Sequence, residues 1–187
     1  LQKRKAVVYV HPSTPPQDMP RPQFVPIEFM EEFTFNTTRA ATNLIFSGTM
    51  ERCPDVQLIF SHMGGTLPYL RWRIDCTFPY DVRYSHSLPV TEEVREGWRS
   101  LNQRVPEYMS RMWFDTALNV DGNVLRMVED VAPAHTLFGT DSFYATQGNG
   151  EEFISSLKAE LSPEGFEAVA YGNALRLFEK RLKKRRI

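Results

Sequence analysis

Three apolar runs in the sequence each end at a residue that can bind a metal or move a proton. They are Val7–Val10 before His11, Val56–Phe60 before Ser61-His62, and Leu137-Phe138 before Gly139-Thr140-Asp141. Imidazoles together with a carboxylate suit Zn²⁺ or a similar divalent ion. An imidazole beside such an ion can also transfer protons near neutral pH. A lone His at a strand end is more often structural, but three such ends in one chain favour an active site.

Five further polar residues are candidates for the site. Asp115 ends a fourth apolar run and either lies near the other three ends or caps the loop that follows. His135 precedes its strand, so we expect a structural or surface role, and His86 lies in a polar loop where a surface position is favoured. Arg71 and Arg73 follow Gly64-Gly65 and either bind a substrate carboxylate or lie solvated on a helix.

The elements that must position these residues alternate between strand and helix. The sequence predicts strands near 6–10, 56–60, 112–116 and 134–138, each followed by helical spacing. The predicted helices are 27–35, a second stretch capped by Thr37 or Thr38 and running to 46, then 67–75, 92–108, 123–131, 151–160, and one from 162 with a break at Gly172-Asn173. About four strand–helix units predict an α/β fold with a parallel sheet, equivalent to half of a (β/α)8 barrel. The C-terminal ends of barrel strands face the active site.

The composition is that of an ordinary globular protein. The 187 residues are 42% hydrophobic and 24% charged, with a net charge of -1, and we expect a single domain over residues 1–187. This charge gives no reason to expect a nucleic acid or a membrane as a partner. The two cysteines, Cys53 and Cys76, match no metal or redox spacing and favour a reducing, cytoplasmic location.

Four motifs together resemble those of the amidohydrolase-related (amidohydrolase 2) family. They are Val10-His11-Pro12, Ser61-His62-Met63-Gly64-Gly65, Phe138-Gly139-Thr140-Asp141 and the closing stretch from Gly172 to Phe178. Within the family, the chain is most similar to the aminocarboxymuconate-semialdehyde decarboxylase-like lyases. The resemblance extends to members that decarboxylate acids of the salicylate type.

This resemblance implies a role for each matching residue. His11 and Asp141 would be ligands of one divalent metal, with Zn²⁺ favoured and Mn²⁺ the alternative. His62 would act as acid/base, and His62 or Asp141 would deliver a proton to the carbon that loses CO₂. Arg73 would bind the carboxylate of a small aromatic or unsaturated acid, such as a hydroxybenzoate, from a neighbouring subunit, which implies a homodimer.

The sequence departs from the family at its start. Family members begin with a strand bearing His-x-His or Glu-x-His, and no two of the four histidines here (11, 62, 86 and 135) are two apart. We therefore expect the C-terminal part of a longer protein, a shortened form, or a truncation completed by another chain, so the partner would be a second copy or a missing N-terminal half. Two other functions stay open: a metal-dependent hydrolase of an amide, ester or lactone with Asp141 as base, and a non-catalytic half barrel that assists assembly.

Overall fold

Four strands form one parallel sheet in the computed structural model, which describes residues 1–16, 18–19, 21–78, 80, 88–142, 144 and 150–183. The strands are β1 (Val7–Val10), β2 (Gln57–Phe60), β3 (Trp113–Asp115) and β4 (Thr136–Leu137), and their order in the sheet follows the chain. Val10 pairs with Phe60, Phe60 with Phe114, and Phe114 with Thr136. This register brings the four C-terminal strand ends to one edge of the sheet.

Helices connect and follow the strands throughout the described residues. They are α1 (Glu32–Phe46), α2 (Thr49–Arg52), α3 (Leu67–Thr77), α4 (Glu92–Arg99), α5 (Val105–Met109), α6 (Gly122–Val131), α7 (Gly150–Glu160), α8 (Pro163–Glu167) and α9 (Asn173–Lys183). Short 3₁₀ turns cover Gln2–Arg4, Glu28–Met30 and His62–Gly64, and a π-helical segment, Ala168–Gly172, joins α8 to α9.

Alternating strand residues point to opposite faces of the sheet. Leu58, Phe60 and Phe114 face the helices and join the main core with residues such as Ile45 of α1 and Val128 of α6. The other face carries a smaller apolar cluster of Ile59, Trp113 and Leu137, against which Leu177 and Phe178 of α9 pack. Because both faces are apolar, the strands read as continuous hydrophobic runs, as parallel sheets generally do.

The helix boundaries differ from those predicted between residues 27 and 46. Only the 3₁₀ turn Glu28–Met30 forms at the start, and α1 then runs unbroken to Phe46. The prediction that Thr37 or Thr38 caps a second helix is wrong. Their hydroxyls instead donate to the carbonyls of Phe33 (3.0 Å) and Thr34 (2.8 Å) one turn earlier, which leaves the helix intact.

Two later boundaries also differ. The helix predicted over 92–108 is two helices, α4 and α5, because Pro106 lies in the first turn of α5, where a new helix can begin but an old one cannot continue. The break predicted at Gly172-Asn173 is absent, since the π-helical segment carries the chain into α9. The predicted loop containing His86 lies outside the described residues.

None of the helices in the described part of the chain combines the length and the hydropathy that crossing a bilayer requires.

Candidate metal centre

His11, His62 and Asp141 lie together at the C-terminal edge of the sheet. His11 follows β1, His62 opens the 3₁₀ turn after β2, and Asp141 follows β4. One ligand atom from each lies within 4.8 Å of the other two, and the two imidazole centroids are 5.2 Å apart. The structure thus brings together the three residues that the sequence singled out, although their roles remain predictions.

The His11 ring is oriented by the backbone beside it. Its Nδ1 lies 2.7 Å from the carbonyl oxygen of Pro12. A carbonyl only accepts hydrogen bonds, so the neutral ring must carry its proton on Nδ1. The Nε2 lone pair is then free to bind a metal, which is the usual arrangement of a ligating histidine.

The His62 ring is buried, with 9% of its side chain exposed, and its Nε2 lies 3.8 Å from Oδ2 of Asp141. Its Nδ1 is buried without a hydrogen-bond partner among the described residues. Burial lowers the pKa of His62 below its ordinary value, although the carboxylates of Asp115 and Asp141 oppose this shift. The imidazole is therefore neutral near pH 7 and can both accept and donate a proton.

The backbone that presents these residues is unusual. His62, Met63 and Asp141 all have a positive φ, between 54° and 55°, a conformation that non-glycine residues adopt at a cost of roughly 1–2 kcal/mol each. Such strain concentrates at functional sites. Gly65 completes the turn, and a Cβ there would lie 2.1 Å from the carbonyl oxygen of Thr34, so the turn requires glycine.

Asp115 lies beneath the cluster and contacts it through the backbone. The sequence left open whether Asp115 joins the site or caps a loop, and the structure shows both. Its Oδ1 accepts hydrogen bonds from the amides of His62 (3.0 Å) and Ala117 (2.9 Å). Its Oδ2 accepts a short hydrogen bond from the hydroxyl of Tyr9. Sequence reasoning missed Tyr9, although its position two residues before His11 places both on one face of β1.

A cavity of about 920 Å³ opens above the cluster. Its described lining includes the three clustered residues, an apolar side formed by Phe29, Met30 and Phe33, and hydroxyl and amide groups, but no Lys or Arg. The ring of Phe33 lies edge-on to His11 with centroids 6.3 Å apart. A substrate here would meet an aromatic surface on one side and the polar cluster on the other.

Arg73 lies apart from this cavity. It is exposed on α3 and is not among the residues that line the cavity, so it does not reach the site of its own chain. Arg71 donates to the carbonyl of Asp130 at 3.3 Å. His135 lies at the opposite end of the sheet, stacked on Trp113 with centroids 4.1 Å apart, in a structural role.

The clustered residues fit a divalent metal ion. Two ligands of one ion lie at most about twice a bond of roughly 2.2 Å apart, so a 4.8 Å cluster is within about half an ångström of ligating geometry. The imidazole of His11 and the carboxylate of Asp141 are donors that suit Zn²⁺ or Mn²⁺. The Nε2 of His11 is available to such an ion, and His62 lies beside it with its Nε2 3.8 Å from Asp141.

Known decarboxylases are similar to this chain in sequence. The 6-methylsalicylic acid decarboxylase of Penicillium expansum is 34% identical over 187 residues, which cover 95% of this chain and 51% of that protein. The 2-amino-3-carboxymuconate-6-semialdehyde decarboxylase of Dictyostelium discoideum is 25% identical over 175 residues, or 93% of this chain and 45% of that protein. The chain therefore spans about half the length of the curated relatives it matches.

Solved structures show the same fold at lower identity. The 5-carboxyvanillate decarboxylase of Sphingomonas paucimobilis superimposes with a TM-score of 0.72 at 20% identity, over 95% of this chain and 50% of that one. A dihydroxybenzoic acid decarboxylase from a Polaromonas species, solved with bound manganese and the inhibitor 2-nitroresorcinol, gives 0.67 at 21% identity, over 96% and 52%. The parallel sheet and its helices are thus half of the (β/α)8 barrel of these proteins, as predicted.

The family model described as Amidohydrolase matches residues 1–180. Since this match takes in every strand and the three residues of the cluster, the chain belongs to the amidohydrolase family, as its motifs predicted.

Proposed function

We propose that this chain carries the metal and proton-transfer residues of a divalent-metal-dependent decarboxylase acting on a small aromatic acid of the hydroxybenzoate type. The observation that carries the proposal is the convergence of His11, His62 and Asp141 at one end of the sheet, below an aromatic-walled cavity. The names of relatives such as the 6-methylsalicylic acid decarboxylase support this choice of chemistry.

His11 and Asp141 would hold the metal. A divalent ion at this position would polarise the carboxylate of the substrate and the oxygen next to it. The manganese in a related structure supports Mn²⁺ as the ion, and the His and Asp donors also suit Zn²⁺.

His62 would transfer the proton that decarboxylation requires. Decarboxylation of an aromatic acid forms a C–H bond at the ring carbon that carries the carboxylate. The C–C bond then breaks, its electron pair returns to the ring, and CO₂ leaves. Neutral His62, with Asp141 3.8 Å from its Nε2, is suited to pass the proton that this step consumes, because its ring can donate from one nitrogen and accept at the other.

The described lining of the cavity favours an aromatic acid but contains no cation that would bind its carboxylate. Phe29, Met30 and Phe33 offer an apolar surface for a ring. A carboxylate is best held by an Arg, and no Lys or Arg is among the described lining residues. We infer that Arg73 of a second copy supplies this charge, so that the working unit is a homodimer.

The two free cysteines are consistent with a cytoplasmic location.

Product analysis tests this proposal. Purified protein loaded with Mn²⁺ is incubated with a panel of hydroxybenzoates, and in parallel with aryl esters, lactones and amides. We expect CO₂ and the corresponding phenol from at least one hydroxybenzoate, without hydrolysis of the other compounds. Hydrolysis of an ester, lactone or amide without any CO₂ release would instead establish the hydrolase alternative.

A further inference from the structure

We propose that Asp115 and Thr116, at the end of β3, are positioning residues that fix the backbone of both neighbouring strand ends, and so place His62 and Asp141. This inference rests on the proposed function for its catalytic readout but not for its structural one. Neither residue lines the cavity, so both would act through other residues rather than on the substrate.

The first connection runs from Asp115 to the end of β2. The carboxylate is buried, with 4% exposure, and its Oδ1 lies 3.0 Å from the amide of His62. That amide belongs to a residue with φ of 54°, a backbone conformation that needs external support. The bond from Asp115 provides this support at the residue whose ring faces Asp141, so it determines where the imidazole points.

The second connection runs from Thr116 to the end of β4. Its buried hydroxyl donates to the carbonyl of Gly139 at 2.9 Å and accepts from the Gly139 amide at 3.0 Å. One side chain thus satisfies both backbone groups of the residue two positions before Asp141. Gly139 also packs against Asp115, since a Cβ there would lie 3.4 Å from the Asp115 Cβ.

The third connection holds Asp115 itself. Tyr9 donates its hydroxyl to Oδ2 of Asp115 from β1, two strands away. With the Ala117 amide on Oδ1 at 2.9 Å, both carboxylate oxygens are occupied, so the side chain is fixed in one orientation. The end of β3 therefore contacts the strand ends on either side of it and the strand that carries His11.

Amide hydrogen exchange, followed residue by residue, tests the positioning directly. In Asp115→Ala we expect the His62 and Ala117 amides to exchange at least about tenfold faster, with the Phe60 amide in the same sheet as internal reference. Asp115→Asn retains an acceptor oxygen and should keep the His62 amide protected. In Thr116→Val the Gly139 amide should exchange faster, whereas Thr116→Ser should retain protection. Thr136→Val, the same change at a buried threonine in β4, should leave Gly139 unaffected.

Kinetics with Mn²⁺-loaded protein supply the second readout. We expect kcat of Asp115→Ala to fall on the order of 10- to 100-fold with KM changed less than about twofold, and Asp115→Asn to recover most of the loss. Unchanged protection of the His62 amide in Asp115→Ala, or wild-type kcat despite lost protection, would overturn the proposal. If the wild type releases no CO₂ from any aromatic acid, the proposed function fails, and the exchange data alone decide the positioning role.

Discussion

Two opposing effects act on the pKa of His62. Burial disfavours its charged form, while Asp115 and Asp141 favour it, and the balance lowers its pKa. A neutral ring beside a carboxylate can carry a proton between two partners without holding a fixed charge. This combination distinguishes His62 from His135, which burial also keeps neutral but which stacks on Trp113 far from the cavity.

Replacing His62 by Ala removes this proton carrier but leaves His11 and Asp141 in place. We expect turnover to fall by at least about 10²-fold while metal content stays close to that of the wild type, measured by steady-state kinetics and elemental analysis. His135→Gln is the matched substitution at the other end of the sheet and should keep wild-type kcat. Normal turnover in His62→Ala would remove its assignment as the acid/base.

His62 and His135 both make stability depend on pH. Burial lowers the pKa of His62 and His135 in the folded state, so the unfolded chain binds more protons once the pH falls below about 6.5. In metal-free protein, the free energy of unfolding should therefore decrease as the pH falls through this range, by at most about 1.4 kcal/mol per unit for each proton. Denaturant titrations across this range measure the slope.

His135→Gln should reduce that slope by removing one of the two protons. A free energy of unfolding that rises on acidification, or a slope unaffected by His135→Gln, would contradict this explanation of the two imidazoles.

At the residue scale, the sequence was informative where a polar residue directly follows an apolar run. His11, His62 and Asp141 follow such runs, and the parallel register brings them together. The spacing of Tyr9 and His11 places both on one face of β1, but it does not reveal the partner of Tyr9, because the hydroxyl reaches Asp115 past the intervening strand β2. That contact depends on the twist and spacing of the sheet, which residue types alone do not specify.

The element that most constrains the site is the tight turn between β2 and α3. Ser61 leaves the strand, four successive residues from His62 to Gly65 adopt positive φ, and α3 then begins at Leu67. Gly64 lies against the ring of Phe114, where a Cβ would be 2.5 Å from the ring. The turn therefore packs on β3 and α1 closely enough to fix the position of His62.

Gly65→Ala tests this close packing. The φ of +67° and the 2.1 Å approach to the Thr34 carbonyl oxygen predict a loss of about 2 kcal/mol or more in the free energy of unfolding, measured by urea denaturation. Gly165→Ala in α8 is the matched control, because its Cβ would meet nothing closer than 3.4 Å and helix propensity favours Ala by up to about 1 kcal/mol. Equal stabilities for the two variants would show that the turn tolerates a side chain.

Strands and helices can be predicted from a strong apolar pattern, but the residues at which helices begin and end cannot. The four strands fall within the predicted ranges because each is a short apolar run ending in polar residues. The sequence at Thr37-Thr38 is ambiguous, because a threonine can either cap a helix or bond back to the preceding turn. In the structure both hydroxyls bond back to the preceding turn, and the helix is continuous.

At the scale of the whole molecule, the sheet is half of a barrel. Among the described residues β1 and β4 each have one neighbouring strand, so the sheet has two outer edges. On the β4 side the side-chain amide of Asn173 donates to the Thr136 carbonyl at 2.8 Å. Family membership could be inferred from motifs, whereas the absence of a cation from the described lining needed the structure.

Subunit mixing tests whether Arg73 acts across a dimer. Arg73→Ala and Asp141→Asn should each be nearly inactive as homodimers. If Arg73 serves the partner's site, mixed dimers contain one site with both residues intact, and an equimolar mixture should recover about a quarter of wild-type activity. Arg71→Ala, two residues earlier on the same helix, is the control and should remain active. A mixture as inactive as its components would place Arg73 outside the site.

The most direct test of the account is the metal dependence of CO₂ release from a carboxyl-¹³C-labelled hydroxybenzoate, followed by mass spectrometry on one protein preparation. We predict that ¹³CO₂ release is lost when the metal is chelated, returns on addition of Mn²⁺, and does not return in Asp141→Asn. Equal release before and after chelation, or full activity in Asp141→Asn, would contradict the claim that these strand ends form a metal-dependent decarboxylation site.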